Sequence, residues 1–322
     1  MSAIKEYIES NLPGVESCLS ETVAGLNPLV KPVAAHILEA GGKRLRPMLC
    51  LLTARALGHE GKDIYPLAAA LELIHSATLL HDDVLDRAEM RRGRTTAHIV
   101  FGVNETILAG DALLAVANKT VTEYENLSLM RCISQAIYWT AVGEIQEIQQ
   151  LKEPSLTVEK YMEIVVGKTG YLLQTCCQSG AIIAGSPQEQ VEAARTFGLN
   201  LGIAFQLVDD ALDYSVSPLS TGKPRGGDLR EGKLTLPLIL FLQGMNNEAR
   251  DVLLKKIKCQ SLDPFEQQWV LEEMEQQDLS QKTREESNAY LQLARESLGR
   301  FPETRERDLL YGVLEYIKDR ED

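Results

Sequence analysis

The sequence predicts an all-α fold in a single domain spanning residues 1–322. Three observations predict it. Short alternating β-branched runs between turns, the mark of strands, are nearly absent. Helix punctuation recurs along the chain, with Gly at helix stops and Pro or a capping residue at helix starts. No linker interrupts it, and no short-period repeat is present.

Each element has its own reason. A first pair of helices is expected over about 2–26 and 28–40, stopped by Gly41-Gly42. Pro47 sits in the first turn of the next helix, where its missing N–H costs little, and that helix runs to about Leu57. After a loop from Gly58 to Lys62, a long apolar helix covers about Asp63 to Ala88. Arg91-Arg92-Gly93-Arg94 reads as a basic loop. Helices follow over about 104–125 and 127–151, where Pro154 breaks the chain. Thr157 caps a helix to about Ala184. Ser186-Pro187-Gln188-Glu189 reads as a capping box opening a helix to about Val216. Ser217 to Gly232, rich in Gly, Pro, Lys and Arg, reads as a mobile loop. A helix resumes over about 233–244, and the acidic C-terminal third supplies three or four more.

Two of these apolar helices carry an unusual acidic pattern. The first reads Asp82-Asp83-Val84-Leu85-Asp86, the second Asp209-Asp210-Ala211-Leu212-Asp213. Residues three and four apart share a helix face, so Asp82 points with Asp86, and Asp209 with Asp213. Like charges at that spacing cost an isolated helix about 0.2–0.5 kcal/mol per pair. Their apolar flanks, Ala77-Thr78-Leu79-Leu80 and Ala204-Phe205-Gln206-Leu207, argue against solvated acidic patches. The economical use is a cluster of hard divalent cations, two or three Mg²⁺ bridging to phosphate oxygens. His75 falls on one stripe with Asp82 and Asp86; Gln206 shares a stripe with Asp209 or Asp210 and with Asp213. Facing each other across a helical bundle, the two stripes would line an interior cavity.

Bulk properties bound the partners. The formal charge is −13, which argues against nucleic acid. Hydrophobic content of 44% and charged content of 25% are those of a soluble globular chain. No run of about 18 apolar residues and no signal-peptide core is found, so no membrane insertion is expected. Six scattered cysteines without C-x-x-C spacing suggest reduced thiols in a cytoplasmic protein. An anionic substrate then needs local cations. Gly41-Gly42-Lys43-Arg44-Leu45-Arg46-Pro47 supplies three at a helix start, the Arg91–Arg94 loop follows the first Asp motif, and Lys223 and Lys233 flank the loop after the second. No P-loop is present.

At this point the chain resembles the all-trans isoprenyl diphosphate synthases, in the long-chain, octaprenyl-type branch. The resemblance runs from about Gly41 to Leu240. Its landmarks, in order, are residues 41–47, the His75 helix, the first Asp motif, Met90-Arg91-Arg92-Gly93, Gly110-Asp111, Lys168-Thr169, Phe205-Gln206, the second Asp motif and residues 227–233. It implies a bundle of long helices around a central cavity, and a homodimer. It also implies that an allylic diphosphate and isopentenyl diphosphate bind together, that Mg²⁺ held by the Asp motifs promotes ionisation of the allylic diphosphate, and that the isopentenyl double bond attacks the cation. The departing diphosphate is the expected base. By resemblance Asp82, Asp86 and Asp209 are the leading ligands, with Asp83, Asp210 and Asp213 in direct or supporting roles. Arg91 resembles the residue holding the allylic diphosphate, with Lys168 and Lys223 as further clamps. Lys43, Arg46, His75 and Arg92 resemble an isopentenyl diphosphate site, and Lys233 is also expected to bind substrate. Thr169 and Gln206 resemble residues facing the carbocation. Glu144 and Glu147 are inward candidates without an assigned role.

Short-chain members tend to place a bulky aromatic five or four residues before the first Asp motif. Here Ala77 and Thr78 stand there, Ala77 about 7.5 Å of helix rise before Asp82. Both are small, which predicts an open tunnel and a product between C30 and C50, near C40. Tyr138 and Trp139 are candidates for a deeper floor. A short-chain synthase is the alternative. A terpene cyclase would lack the second Asp motif, and a non-catalytic subunit would have lost motif residues. Any membrane contact is expected to be transient.

Overall fold

The computed structural model describes residues 2–152, 156–215 and 225–320. Among these residues the fold is all-α, with one two-stranded ribbon. The chain divides into two compact units. One holds residues 1–137, 175–195 and 300–310; the other holds 138–174, 196–299 and 311–322.

The first unit contains α1 (Ser2–Ala24), α2 (Lys31–Glu39), α3 (Leu45–Ala56), α4 (Ile64–Leu85), α5 (Ala97–Phe101), α6 (Val103–Thr122) and the first part of α7 (Leu127–Lys152). Its centre is α4, which packs against α1, α3 and α6. From Leu67 to Ile74 every residue of α4 is buried, because this stretch is apolar on all sides except for Glu72. Three successive alanines, Ala68 to Ala70, keep its girth small.

Beyond Ile74 the burial of α4 changes pattern. His75, Thr78, Leu79, Asp82 and Asp86 reach solvent, whereas Ser76, Ala77, Leu80 and Asp83 remain buried. Those five form a stripe at helical spacing, and His81, Val84 and Leu85 beside it also reach solvent near the end of the helix.

The expected loop over Arg91–Arg94 is instead a hairpin. Strand β1 (Met90–Arg91) pairs antiparallel with β2 (Arg94–Thr95), Arg91 opposite Arg94. Arg92 and Gly93 both have positive φ, 51° and 75°, which is the type I′ turn whose twist suits a two-residue hairpin. Strands of two residues carry too little alternation to be read as such from sequence.

The second unit contains the rest of α7, then α8 (Val158–Val165), a π-helical turn over Val166–Gly170, and the start of α9 (Tyr171–Ile183). It continues with most of α10 (Gln188–Tyr214), α11 (Gly227–Glu231), α12 (Leu236–Gln243), α13 (Asn247–Lys258), α14 (Pro264–Gln276), α15 (Leu279–Ser297) and the end of α16 (Arg305–Lys318). The short helix α12 is apolar on nearly every side and packs against α8, α13, α14 and α15. Thus the expected single helix from Thr157 to Ala184 contains a π turn, and the expected loop up to Gly232 contains α11. Pro154 and residues 216–224 lie outside the described residues.

Thr157 does cap α8, its side chain accepting the Lys160 N–H. The Ser186 capping box does not form. Ser186 donates its N–H to Ala181 O at 3.2 Å and Gly185 donates to Ile182 O at 3.0 Å, with Gly185 at φ 64°. Those bonds are a Schellman end of α9, so Ser186 closes the helix before it rather than opening the next. Its hydroxyl is buried without a hydrogen-bond partner. A full capping box occurs at Asp263 and Glu266, before α14.

Candidate active site

In the first unit, the basic positions at 41–46 and 91–92 come together around His75. Arg92 donates to the Gly41 carbonyl, which ties the hairpin to the Gly-Gly loop. Thr96 donates to Ala88 O at 2.6 Å and His36 contacts Thr95 O at 2.8 Å, fixing the base of the hairpin. Burial and then the charges of Arg46, Arg92, Arg91 and Arg44 push His75 well below its usual pKa, so its imidazole is neutral. Arg46 has its Nε buried without a hydrogen-bond partner. Burial lowers its pKa, and Glu72 opposes that shift. A cation with a dry, unmatched N–H is what an oxyanion ligand would complete. Lys43 lies exposed at the rim of this loop.

The remaining cation of the run, Arg44, is structural. It binds Glu16 and Glu72 at 2.8 Å each and donates to Leu38 O at 2.9 Å. Its φ of 47° turns the chain into α3.

Within the first motif, Asp82 and Asp86 lie on the accessible stripe of α4. Asp83 does not: its side chain is 1% exposed and its Oδ1 accepts from Arg91 Nε at 2.6 Å. Of the direct and supporting roles expected for Asp83, this placement suits the supporting one, since its neighbour is Arg91, which it orients. Burial raises the Asp83 pKa and Arg91 opposes the rise.

In the second unit, α10 repeats this pattern. Phe205, Gln206, Asp209, Leu212 and Asp213 reach solvent, while Leu207, Val208, Asp210 and Ala211 are buried. Asp209 therefore lies on the accessible stripe with Gln206, and Asp210 lies on the buried side. Asp210 accepts from the Tyr161 hydroxyl at 2.5 Å and from Gln206 Nε2 at 2.7 Å. Burial pushes its pKa up to about 7. Asp213 uses both oxygens on the start of α11, accepting the N–H groups of Gly227 and Asp228 at 3.0 Å each. Asp210 and Asp213 thus each have protein donors on both oxygens. Asp209 contacts Arg320 at 2.9 Å, whose guanidinium lies 5.0 Å from the Phe205 ring centroid.

Lys168 and Thr169 stand in the π turn, a common feature of functional sites. Lys168 Nζ lies 2.9 Å from Glu144 and 2.5 Å from Glu147, which assigns those two glutamates their partner. The turn can approach α7 only because both contacts are glycine. A Cβ on Gly143 would lie 2.5 Å from the Lys168 nitrogen, and one on Gly167 2.7 Å from the Gly143 Cα. Thr169 donates to Gln206 Oε1 at 2.8 Å. Lys233 pairs with Glu231 at 2.8 Å. Lys223 lies outside the described residues.

The chain-length positions divide differently from expectation. Ala77 is 0% exposed, whereas Thr78 is on the accessible stripe. Tyr138 and Trp139 are not a buried floor. They are 61% and 38% exposed, with Trp139 stacked on Tyr171 at 5.4 Å.

Sequence reasoning gave no role to Tyr161, Asp228, Glu72 or Arg320. Asp228 is held in the neutral direction by burial and by Asp210 and Asp213. Of these, only Asp228 had a local signal, its place in a Gly-Asp helix start.

Among the described residues no group of three or more His, Cys, Asp or Glu is gathered as a metal site, but the donor type a hard divalent cation takes is present in each unit. Asp82, Asp86 and Asp209 offer carboxylate oxygens on accessible stripes. Among the described residues no helix is long and apolar enough to cross a membrane, and all six cysteines are free.

The family model described as Polyprenyl synthetase matches residues 27–274. The octaprenyl diphosphate synthase of Escherichia coli is 34% identical, over 100% of this chain and 99% of that one. A polyprenyl synthase from Caulobacter crescentus, solved with calcium and isoprenyl diphosphate, superposes with a TM-score of 0.93 at 32% identity, covering 100% of this chain and 98% of its own. A geranylgeranyl pyrophosphate synthetase from Pyrococcus horikoshii gives 0.91 at 30% identity, covering 99% and 98%.

Proposed function

The chain belongs to the polyprenyl synthetase family and is a prenyl-transferring enzyme, and on that premise we propose that it extends an allylic diphosphate with successive isopentenyl diphosphates. The product is a long-chain all-trans polyprenyl diphosphate of about C40. One observation carries the chain length. Between Asp82 and His75 the accessible stripe of α4 carries Leu79 and Thr78, with no Phe, Tyr or Trp. A growing chain would meet only small or aliphatic groups there.

Asp82, Asp86 and Asp209 hold two or three Mg²⁺ in this reading. Bound Mg²⁺ would supply Lewis-acid assistance to loss of diphosphate from the allylic substrate. The chain's own residues do the rest. Arg91, kept in place by Asp83, binds the allylic diphosphate with Lys168 and, by resemblance, Lys223. Arg46, Arg92 and Lys43 bind isopentenyl diphosphate beside a neutral His75, which can donate a hydrogen bond without adding charge. Lys233 joins the diphosphate-binding set. Thr169 and Gln206 direct oxygen toward the allylic carbon that becomes positive. The departing diphosphate takes the final proton. Residues 1–322 act as one catalytic domain, and the family model runs through 27–274 without a break. The enzyme works in the cytoplasm as a homodimer, with only transient membrane contact.

The similarity to a geranylgeranyl synthetase supports a second reading, a short-chain product. Incubating the purified chain alone with Mg²⁺, an allylic primer and labelled isopentenyl diphosphate separates the two. Products between C30 and C50 are expected. A principal product of C15 or C20 would establish the short-chain reading, and no turnover by the chain alone would point to a subunit that needs a partner.

A further inference from the structure

We propose that Tyr161 and Asp210 form a positioning device that fixes which end of the Gln206 amide faces the reacting carbon. The proposal deepens the reading above, on which it rests, that Gln206 faces that carbon.

Four side chains make one chain of hydrogen bonds in the second unit. The Tyr161 hydroxyl donates to Asp210 Oδ2 at 2.5 Å. Gln206 Nε2 donates to Asp210 Oδ1 at 2.7 Å. Thr169 Oγ1 donates to Gln206 Oε1 at 2.8 Å. Tyr161 is 3% exposed and Asp210 5%, so neither is a surface group.

The chemistry requires this arrangement in one sense only. A primary amide has an acceptor end and a donor end of almost the same shape. Near a carbocation only the acceptor end is useful; the NH₂ end would repel it. Both Asp210 oxygens act as acceptors in this geometry, Oδ2 from Tyr161 and Oδ1 from Gln206, so Asp210 takes the NH₂ end of Gln206. Thr169, as donor, then meets the carbonyl, which has two lone pairs and keeps one for the substrate. A carboxylate behind the NH₂ also polarises the amide and strengthens the negative end of its dipole.

Tyr161 completes the device. Asp210 follows Asp209 directly and could swing toward the same cations. With one oxygen held by Tyr161 on α8 and the other by Gln206 one turn back on α10, it stays turned inward. The second Asp motif thus splits its duties, Asp209 toward metal and Asp210 toward the amide.

The test is a double-mutant cycle with metal binding read separately. In Tyr161→Phe, kcat should fall by roughly 10–100-fold, the range for losing a group that orients a site residue, with KM for both diphosphates within about twofold. In a Gln206→Ala background the same substitution should change kcat less than about twofold, since the group being oriented is gone. Asp210→Asn should lower kcat while leaving Mn²⁺ affinity, followed by electron paramagnetic resonance, within about threefold of the parent; Asp209→Asn should weaken it at least about tenfold. Equal loss from Tyr161→Phe in both backgrounds would overturn the device, as would a metal defect in Asp210→Asn matching that of Asp209→Asn. If Tyr161→Phe does not fold, Asp210→Asn alone and combined with Gln206→Ala closes the same cycle. Wild-type kcat in Gln206→Ala would instead remove the premise that Gln206 faces the reacting carbon, and the device with it.

Discussion

Asp83 accepts the Arg91 guanidinium at 2.6 Å from a position that solvent scarcely reaches. Its neighbour Asp82 looks outward along the accessible stripe. The two carboxylates should therefore fail differently. Asp83→Asn keeps the shape but loses the charge that aims Arg91. It should raise KM for the allylic diphosphate by roughly 10-fold and leave Mn²⁺ affinity unchanged, whereas Asp82→Asn should weaken metal binding by about 10–100-fold. Equal metal defects in the two variants would return Asp83 to the ligand set. A second pair of neighbours separates in the same way. Thr78 is on the stripe and Ala77 is wholly buried. Thr78→Phe should shorten the product in the labelled assay. Ala77→Phe should overpack the contacts of α4 and cost about 1–3 kcal/mol in a denaturant titration. A shortened product from Ala77→Phe, with stability unchanged, would contradict this placement.

At the scale of elements, the π turn over Val166–Gly170 and the hairpin at 90–95 are the two irregular pieces that carry cations. Each depends on glycine. Gly93 supplies the second positive φ of the hairpin turn. Gly167 lets the π turn meet α7 backbone to backbone, so that Lys168 reaches Glu144 and Glu147. Gly167→Ala would set a methyl 2.7 Å from the Gly143 Cα, and the helices would have to part. We expect a stability loss of about 1–3 kcal/mol by urea titration, with a fall in kcat beyond what the unfolded fraction explains. Wild-type activity in that variant would mean that the close approach is not needed to aim Lys168. Neither irregularity was legible beforehand. Helical periodicity barely changes across one inserted residue, and a two-residue strand has no period at all. The long helices were legible, because their apolar faces repeat over many turns. So were the Asp motifs, because charge inside an apolar helix is a strong local contrast.

For the whole molecule, the half-buried, neutral His75 ties stability to pH. Burial and the surrounding arginines hold its folded pKa well below the ordinary value of about 6.5. Below about pH 6.5 the unfolded chain then binds a proton that the folded chain does not, so this contribution to stability falls as pH falls and levels off above that value. His75→Asn should remove it. The difference in urea midpoint between parent and variant is expected to shift against the parent from pH 7.5 to pH 5.5; a difference that stays constant would mean that His75 can take up a proton in the folded state. The proposed homodimer makes its own prediction. Ile99, Val100, Val103, Ile107 and Leu108 on α5 and α6 leave an apolar face exposed in the single chain. Sedimentation should give a dimer, and Leu108→Glu should weaken it. A parent that sediments as a monomer would rule the dimer out.

The sequence by itself determined the helical fold, the two Asp motifs, the cations near them and the family to which they belong. These are properties of spacing and type along the chain. Only the tertiary structure decided what each carboxylate faces. Asp82 and Asp83 have the same chemistry and differ by about 100° around one helix, so one points outward and the other to Arg91. Asp209 and Asp210 separate in the same way, one beside Arg320 and the other between Tyr161 and Gln206. The partners that settle each case stand 8, 49 and 111 positions away along the chain. No local pattern carries that information, because packing brings them together.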